Sequence, residues 1–226
     1  MAAALDITDL GFRYAGAADD VVRVDRLSIH AGEHVLLSGA SGAGKSTLLQ
    51  LIAGLMEPSR GVVRVDGTDV HGLHGARRDL FRGSKIGMIF QTFNLLQGFS
   101  AAENVMMALK FSRVSKASHR DRAVELLAAV GVTTPDREVT QLSVGQQQRV
   151  AVARAAATSP AIVLADEPTA SLDPETADAS MALIQDTCRS IGAALVCTSH
   201  DPTMADRFER RESLDDLRSA AQYQRV

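Results

Sequence analysis

Residues 34–47 read HVLLSGASGAGKST. The apolar run His34–Gly39 has the length and composition of a buried strand, and glycines follow it before a lysine, two hydroxyl residues and a leucine-bearing stretch. Gly39, Gly44, Lys45 and Ser46 satisfy the spacing G-x-x-x-x-G-K-[ST] in the strand-to-helix setting that the pattern requires. Glycines let such a loop curl until its successive N–H groups, here from Gly42 to Thr47, face one point. The N-terminus of the next helix adds partial positive charge there, which suits phosphate oxygens. Lys45 is placed to reach the β- and γ-phosphates of a nucleotide, and the Ser46 hydroxyl to ligate Mg²⁺. The reading therefore predicts MgATP held by Gly39, Ala40, Ser41, Gly42, Ala43, Gly44, Lys45, Ser46 and Thr47, and its hydrolysis.

Outward from this loop the same grammar repeats. Apolar runs at Val21–Ile29, Val62–Val65, Ile86–Phe90, Ala161–Ala165 and Ala193–Thr198 are candidate strands, and helical spacings between them argue a largely parallel sheet with covering helices. After Lys45, Leu48, Leu51, Ile52 and Leu55 recur at steps of three and four, the mark of one buried helix face. Between Thr92 and Pro160 the pattern turns wholly helical: Ala102–Phe111, His119–Val130 with Gly131 as its C-cap, and Val144–Ala157. The charged stretch Arg207–Arg218 reads as a solvated terminal helix.

Composition agrees with one folded unit. The 226 residues are 46% hydrophobic and 23% charged, ordinary for a globular protein, and the formal net charge of −3 gives no basic field for nucleic acid. Cys188 and Cys197 have no metal-ligand spacing and read as reduced structural residues. No run approaches the roughly 18 apolar residues of a membrane span, so a soluble, cytoplasmic protein is expected. His71 and His74 lack a third ligand, leaving Mg²⁺ as the metal expected.

A second chemical signal is AIVLADEP at 161–168, a buried strand ending in Asp166 and Glu167. A carboxylate at that edge can hold Mg²⁺, and Glu167 can orient and deprotonate an attacking water. LSVGQQQR at Leu142–Arg149 then resembles the signature sequence of ATP-binding cassette proteins, and with the two motifs above the resemblance covers about Leu5 to His200. It implies an α/β fold: a phosphate-loop NTPase core with a mainly parallel sheet, about residues 1–91 and 158–208. It also implies an N-terminal antiparallel β part, a helical subdomain at about 92–157 and a short C-terminal helix at about 209–226.

The resemblance also assigns roles. Gln91 resembles the glutamine that senses Mg²⁺ and the water, Ser171-Leu172-Asp173 the loop that meets a partner subunit, and His200 the histidine that contacts the γ-phosphate. Tyr14 is the candidate for stacking on adenine, with Phe12 its competitor. Ser143 and Gly145 are implied to close the ATP site of a second copy, which makes the working unit a homodimer. Val144 stands where the family usually has glycine. If that position needs φ > 0, Val144 is strained; otherwise it is extended or the loop differs.

QTFNLLQGFSAAENV at 91–105 offers Phe93, Leu95, Leu96 and Phe99 to a hydrophobic groove for a helix of a membrane permease. This stretch and QLSVGQQQRVAVARA most resemble ATP-binding subunits of lipoprotein-release, macrolide-export and cell-division systems, implying a place on the inner face of the cell membrane. No nucleic acid or covalent cofactor is expected. A soluble cassette ATPase and a small-molecule kinase are the competing readings.

Overall fold

The computed structural model describes residues 3–40, 42–112, 115–170 and 172–219. In chain order these build β1 (Ala3–Phe12), β2 (Val22–His30), β3 (His34–Ser38), α1 (Lys45–Ile52), β4 (Arg60–Val65), β5 (Thr68–Asp69), α2 (Ala76–Lys85) and β6 (Ile86–Ile89). There follow α3 (Ala101–Leu109), α4 (His119–Ala129), α5 (Val144–Ala156), β7 (Ile162–Asp166), α6 (Pro174–Ile191), β8 (Ala194–Thr198), β9 (Arg210–Ser213) and α7 (Leu214–Ser219).

Two sheets organise the chain. The antiparallel one has strand order β2-β1-β4-β5, the parallel one β6-β7-β8-β3-β9. β1 is absent from the strands marked in the sequence. Leu5 and Ile7 alternate correctly and pair with Val65 and Val63, but a bulge at Asp9, with φ 49, breaks the period before Leu10. Helix α1 lies in the core between the sheets. Leu48, Leu51 and Ile52 are fully buried among residues of both, stabilising by about 2 kcal/mol each. Leu55, the fourth member of that repeat, lies beyond the helix end and is exposed, because the chain turns at Gly54 with φ 64.

On the other face of the parallel sheet, α3, α5 and α6 share a second core with Val163, Leu195 and Leu36. Gly131 takes φ 77 and donates its N–H to Ala128 O, closing α4 as expected. Asn104, fully buried, uses its side chain to hold Leu96 N–H, Leu96 O and Ser100 O, which fastens the 91–99 segment to α3.

The helix expected over Arg207–Arg218 is corrected: Arg210–Ser213 pairs with β3 as an edge strand, and α7 begins only at Leu214. An edge tolerates charge, since one side faces water. Arg210 satisfies its guanidinium on Ser28 O, Glu33 and Glu212. Leu214 and Leu217 are buried against the antiparallel-sheet core, which supplies the apolar anchor the charges conceal. Both cysteines are buried free thiols, and burial pushes Cys188 up to about 12. Among the described residues no helix is long and apolar enough to cross a membrane.

Candidate nucleotide site

A cleft of about 540 Å³ opens where the two sheets meet, lined by Tyr14, Val21, Gly42, Ala43, Gly44, Lys45, Ser46, Thr47, Gln91, Glu167 and His200. Gly42 and Gly44 hold φ 77 and 94. A Cβ at Gly44 would meet Val21 O at 2.9 Å, so this position needs glycine both for its backbone and for space. Lys45, buried at the head of α1, donates from Nζ to Gly39 O at 2.8 Å and Ala40 O at 3.1 Å. Ser41, expected in the cradle, lies outside the described residues.

Tyr14 reaches the loop from the antiparallel sheet. Its hydroxyl lies 3.1 Å from Thr47 Oγ1, and its ring packs edge-on against Phe12 with centroids 4.8 Å apart. Phe12 is buried, whereas Tyr14 is 47% exposed; of the two competitors only Tyr14 lines the cleft.

Opposite the loop, β7 delivers the two acids. Asp166 Oδ1 accepts from Ser46 Oγ at 3.0 Å and from Thr198 Oγ1 at 2.8 Å. Glu167 takes φ 46, rare for a side chain of its size, and its N–H donates to Thr198 Oγ1 at 3.0 Å. Its carboxylate receives His200 Nδ1 at 2.8 Å and the His200 N–H at 3.3 Å. The Ser46 hydroxyl beside the Asp166 carboxylate is a pair of hard oxygen donors, which fits a Mg²⁺ ion that keeps several waters.

Thr198 was not singled out in the sequence. It is fully buried, and the register that sets it opposite Asp166 places one hydroxyl between the two acids. Gln148 was missed as well. It is buried in α5, donates to Pro168 O and accepts from Ser180 Oγ, so it ties the helical lobe to the turn after Glu167. Gln148 falls inside the LSVGQQQR stretch, but neither that motif's spacing nor the strand containing Thr198 says what these side chains touch.

The remaining candidates stand apart from the cleft. Ser143 caps α5, accepting from Gln146 N–H while Gln146 Oε1 accepts from Ser143 N–H. Val144 is the first residue of that helix and 53% exposed. Neither it nor Gly145 has positive φ, so the strain considered for Val144 does not arise. A Cβ at Gly145 would meet nothing within 4 Å. Asp173 caps α6 through Thr176 N–H, and Ser171 lies outside the described residues.

Of the four apolar residues after Gln91, Phe93 is buried and Leu95 packs on the core, while Leu96 and Phe99 are exposed. A second, more apolar cleft of about 480 Å³ is formed where Leu55, Ile86, Met88, Phe90 and Phe111 meet. His71 spends its ring nitrogens on Glu57 and Leu51 O, and among the described residues no cluster of three or more His, Cys, Asp or Glu could hold a metal.

A family model described as ABC transporter matches residues 22–170, more than half of the chain. The lipoprotein-releasing system ATP-binding protein of Anaeromyxobacter dehalogenans is 45% identical over 197 residues, covering 86% of this chain and 82% of that protein. The methionine import ATP-binding protein of Corynebacterium efficiens is 44% identical over 82% of this chain, which spans 50% of that relative's length. Among solved structures, a dimeric post-hydrolysis state of an ATP-binding cassette bound to ADP and Pi superposes with TM-score 0.81 at 35% identity. It covers 92% of this chain and 93% of that one.

Proposed function

The chain belongs to the ABC transporter family, and from that premise we propose that it is the ATP-hydrolysing subunit of a membrane transporter, working as a homodimer that closes on two ATP molecules. The observation that carries this reading is the pairing of the Lys45 loop with Asp166, Glu167 and His200 across one cleft. Tyr14 stacks on adenine, the loop N–H groups and Lys45 take the phosphates, and Ser46, Asp166 and Gln91 would hold Mg²⁺, which when bound offsets phosphate charge.

Glu167 orients the attacking water and accepts its proton. His200, held at 2.8 Å by the same carboxylate, contacts the γ-phosphate. Ser143 and Gly145 belong to the other copy's site. They lie at the N-terminus of α5, where the helix dipole and the N–H groups of its first turn that the Ser143 cap leaves over favour a γ-phosphate. Asp173 contributes to the same two-fold interface. ATP bound between two copies favours closure, and hydrolysis removes that preference.

A permease docks by an apolar helix in the cleft beside Phe90 and Phe111, supported by the exposed Leu55 and Phe111 at its rim. Such docking places the chain on the inner face of the membrane. The likeness to the lipoprotein-releasing protein over four-fifths of its length supports a permease of the lipoprotein-release or export class.

Lys45→Ala tests the assignment of the loop. Phosphate release should fall by at least about 100-fold and ATP affinity should drop in calorimetry, because the charge facing the phosphates is gone. Unchanged affinity would remove Lys45 from its role.

A further inference from the structure

Arg154 lies near the end of α5, the helix that opens at Ser143. Its Nη1 donates to Asn94 O and its Nη2 to Phe93 O, each at 2.6 Å. These two carbonyls belong to consecutive residues with left-handed backbone, φ 58 at Phe93 and φ 49 at Asn94. Neither is glycine, so the turn is strained and persists only because its surroundings impose it. Part of the restraint is local: the Phe93 ring is buried, and Thr92 Oγ1 donates to Asn94 Oδ1 at 3.0 Å. The rest is the guanidinium, whose rigid fork matches two neighbouring carbonyls as no ammonium can.

The placement of this cation is costly. Burial lowers the pKa of Arg154 from its ordinary value, and among the described residues no carboxylate pairs with it. A half-buried arginine satisfied by backbone carbonyls alone is a poor stabilising device, since desolvation offsets most of the gain. Its position is informative. The turn it grips begins immediately after Gln91, which lines the nucleotide cleft, and Arg154 itself borders the apolar cleft with Phe90 and Phe111.

We propose that Arg154 is a positioning residue for ATP hydrolysis: by holding the carbonyls of Phe93 and Asn94 it sets Gln91 in the nucleotide cleft and makes that placement depend on the signature helix α5. The proposal rests on the role given to Gln91 above. Arg154 touches none of the residues around the phosphates and acts only through the turn.

The test is a double-mutant cycle on the purified chain, with steady-state ATPase kinetics, ATP affinity by calorimetry and melting temperature measured for R154M, Q91A and the double variant. R154M should lower kcat about tenfold, the scale of a small misplacement of a catalytic group, while the dissociation constant for ATP stays within about twofold. In the Q91A background the same substitution should change kcat by less than about twofold, since its effect has already been removed. R154K, which retains the charge and can hold one carbonyl, should give an intermediate kcat, and it replaces R154M in the cycle if that variant has no melting transition. An unchanged kcat in R154M, or an equal loss in both backgrounds, overturns the proposal alone. An unchanged kcat in Q91A overturns the reading of Gln91 and the proposal with it.

Discussion

The two glycine-bearing motifs of this chain sit at the heads of helices α1 and α5, and only one of them explains itself within a single copy. In the phosphate loop, Gly42 and Gly44 have positive φ, and Gly44 is crowded by Val21 O. In the signature segment, Gly145 is helical with open space around it, and Val144 projects into solvent. The first motif is shaped by its own chain. In the second, nothing among the described residues lies within 4 Å of a Cβ at Gly145, and the proposed function puts the ATP and loop of a second copy there.

That contrast can be broken by mixing. Lys45→Ala destroys the loop and Ser143→Ala the signature, so each variant alone should be nearly inactive. A hybrid dimer, however, contains one site built from an intact loop and an intact signature. An equal mixture should recover up to roughly a quarter of native ATPase activity, since about half of the dimers are hybrids with one sound site each. Activity no greater than the sum of the separate variants would mean that the sites are not shared.

A smaller effect is expected from Tyr14→Ala, which leaves both motifs intact. Loss of adenine stacking should raise KM about fivefold, near 1 kcal/mol, with kcat little changed. A fall in kcat at constant KM would show that Tyr14 acts through Thr47 Oγ1 and the loop instead of through the base.

The smallest effect sharpens the comparison from outside the site, where β9 is pinned beside β3. Burial tends to raise the Glu33 carboxyl, but hydrogen bonds from Arg210 and the His30 N–H outweigh it and hold Glu33 below its ordinary value. A depressed carboxylate stabilises the fold above the ordinary glutamate range, and this contribution is lost as the pH falls through the lower folded-state value. Glu33→Gln should therefore cost about 1 kcal/mol near pH 7, and the cost should shrink as the pH falls below the ordinary glutamate range, read from denaturant midpoints. A cost independent of pH would trace it to packing.

How much of this was legible in the sequence follows from whether residues act as neighbours in the chain. The phosphate loop and the pair Asp166-Glu167 are contiguous, so their chemistry is spelled out in order. Thr198, Gln148 and Arg154 act through strand register and helix packing, and no local spacing encodes those. Strand β1 was hidden by the bulge at Asp9, and β9 by charges that an edge strand tolerates; the four-residue run RRES carries no alternation of apolar and polar residues to betray it. In the segment after Gln91, composition identified apolar side chains but could not say that Phe93 turns inward while Leu96 and Phe99 remain outside.

The central claim is that ATP joins two copies and that hydrolysis parts them. It is tested most directly by the mass of Glu167→Gln in light scattering, with ATP and then with ADP. Losing the general base should slow phosphate release at least about 100-fold and trap the closed state. A particle of twice the 24.0 kDa chain mass is expected in ATP and a single chain in ADP. A single chain in both nucleotides, or turnover at the native rate, would contradict it.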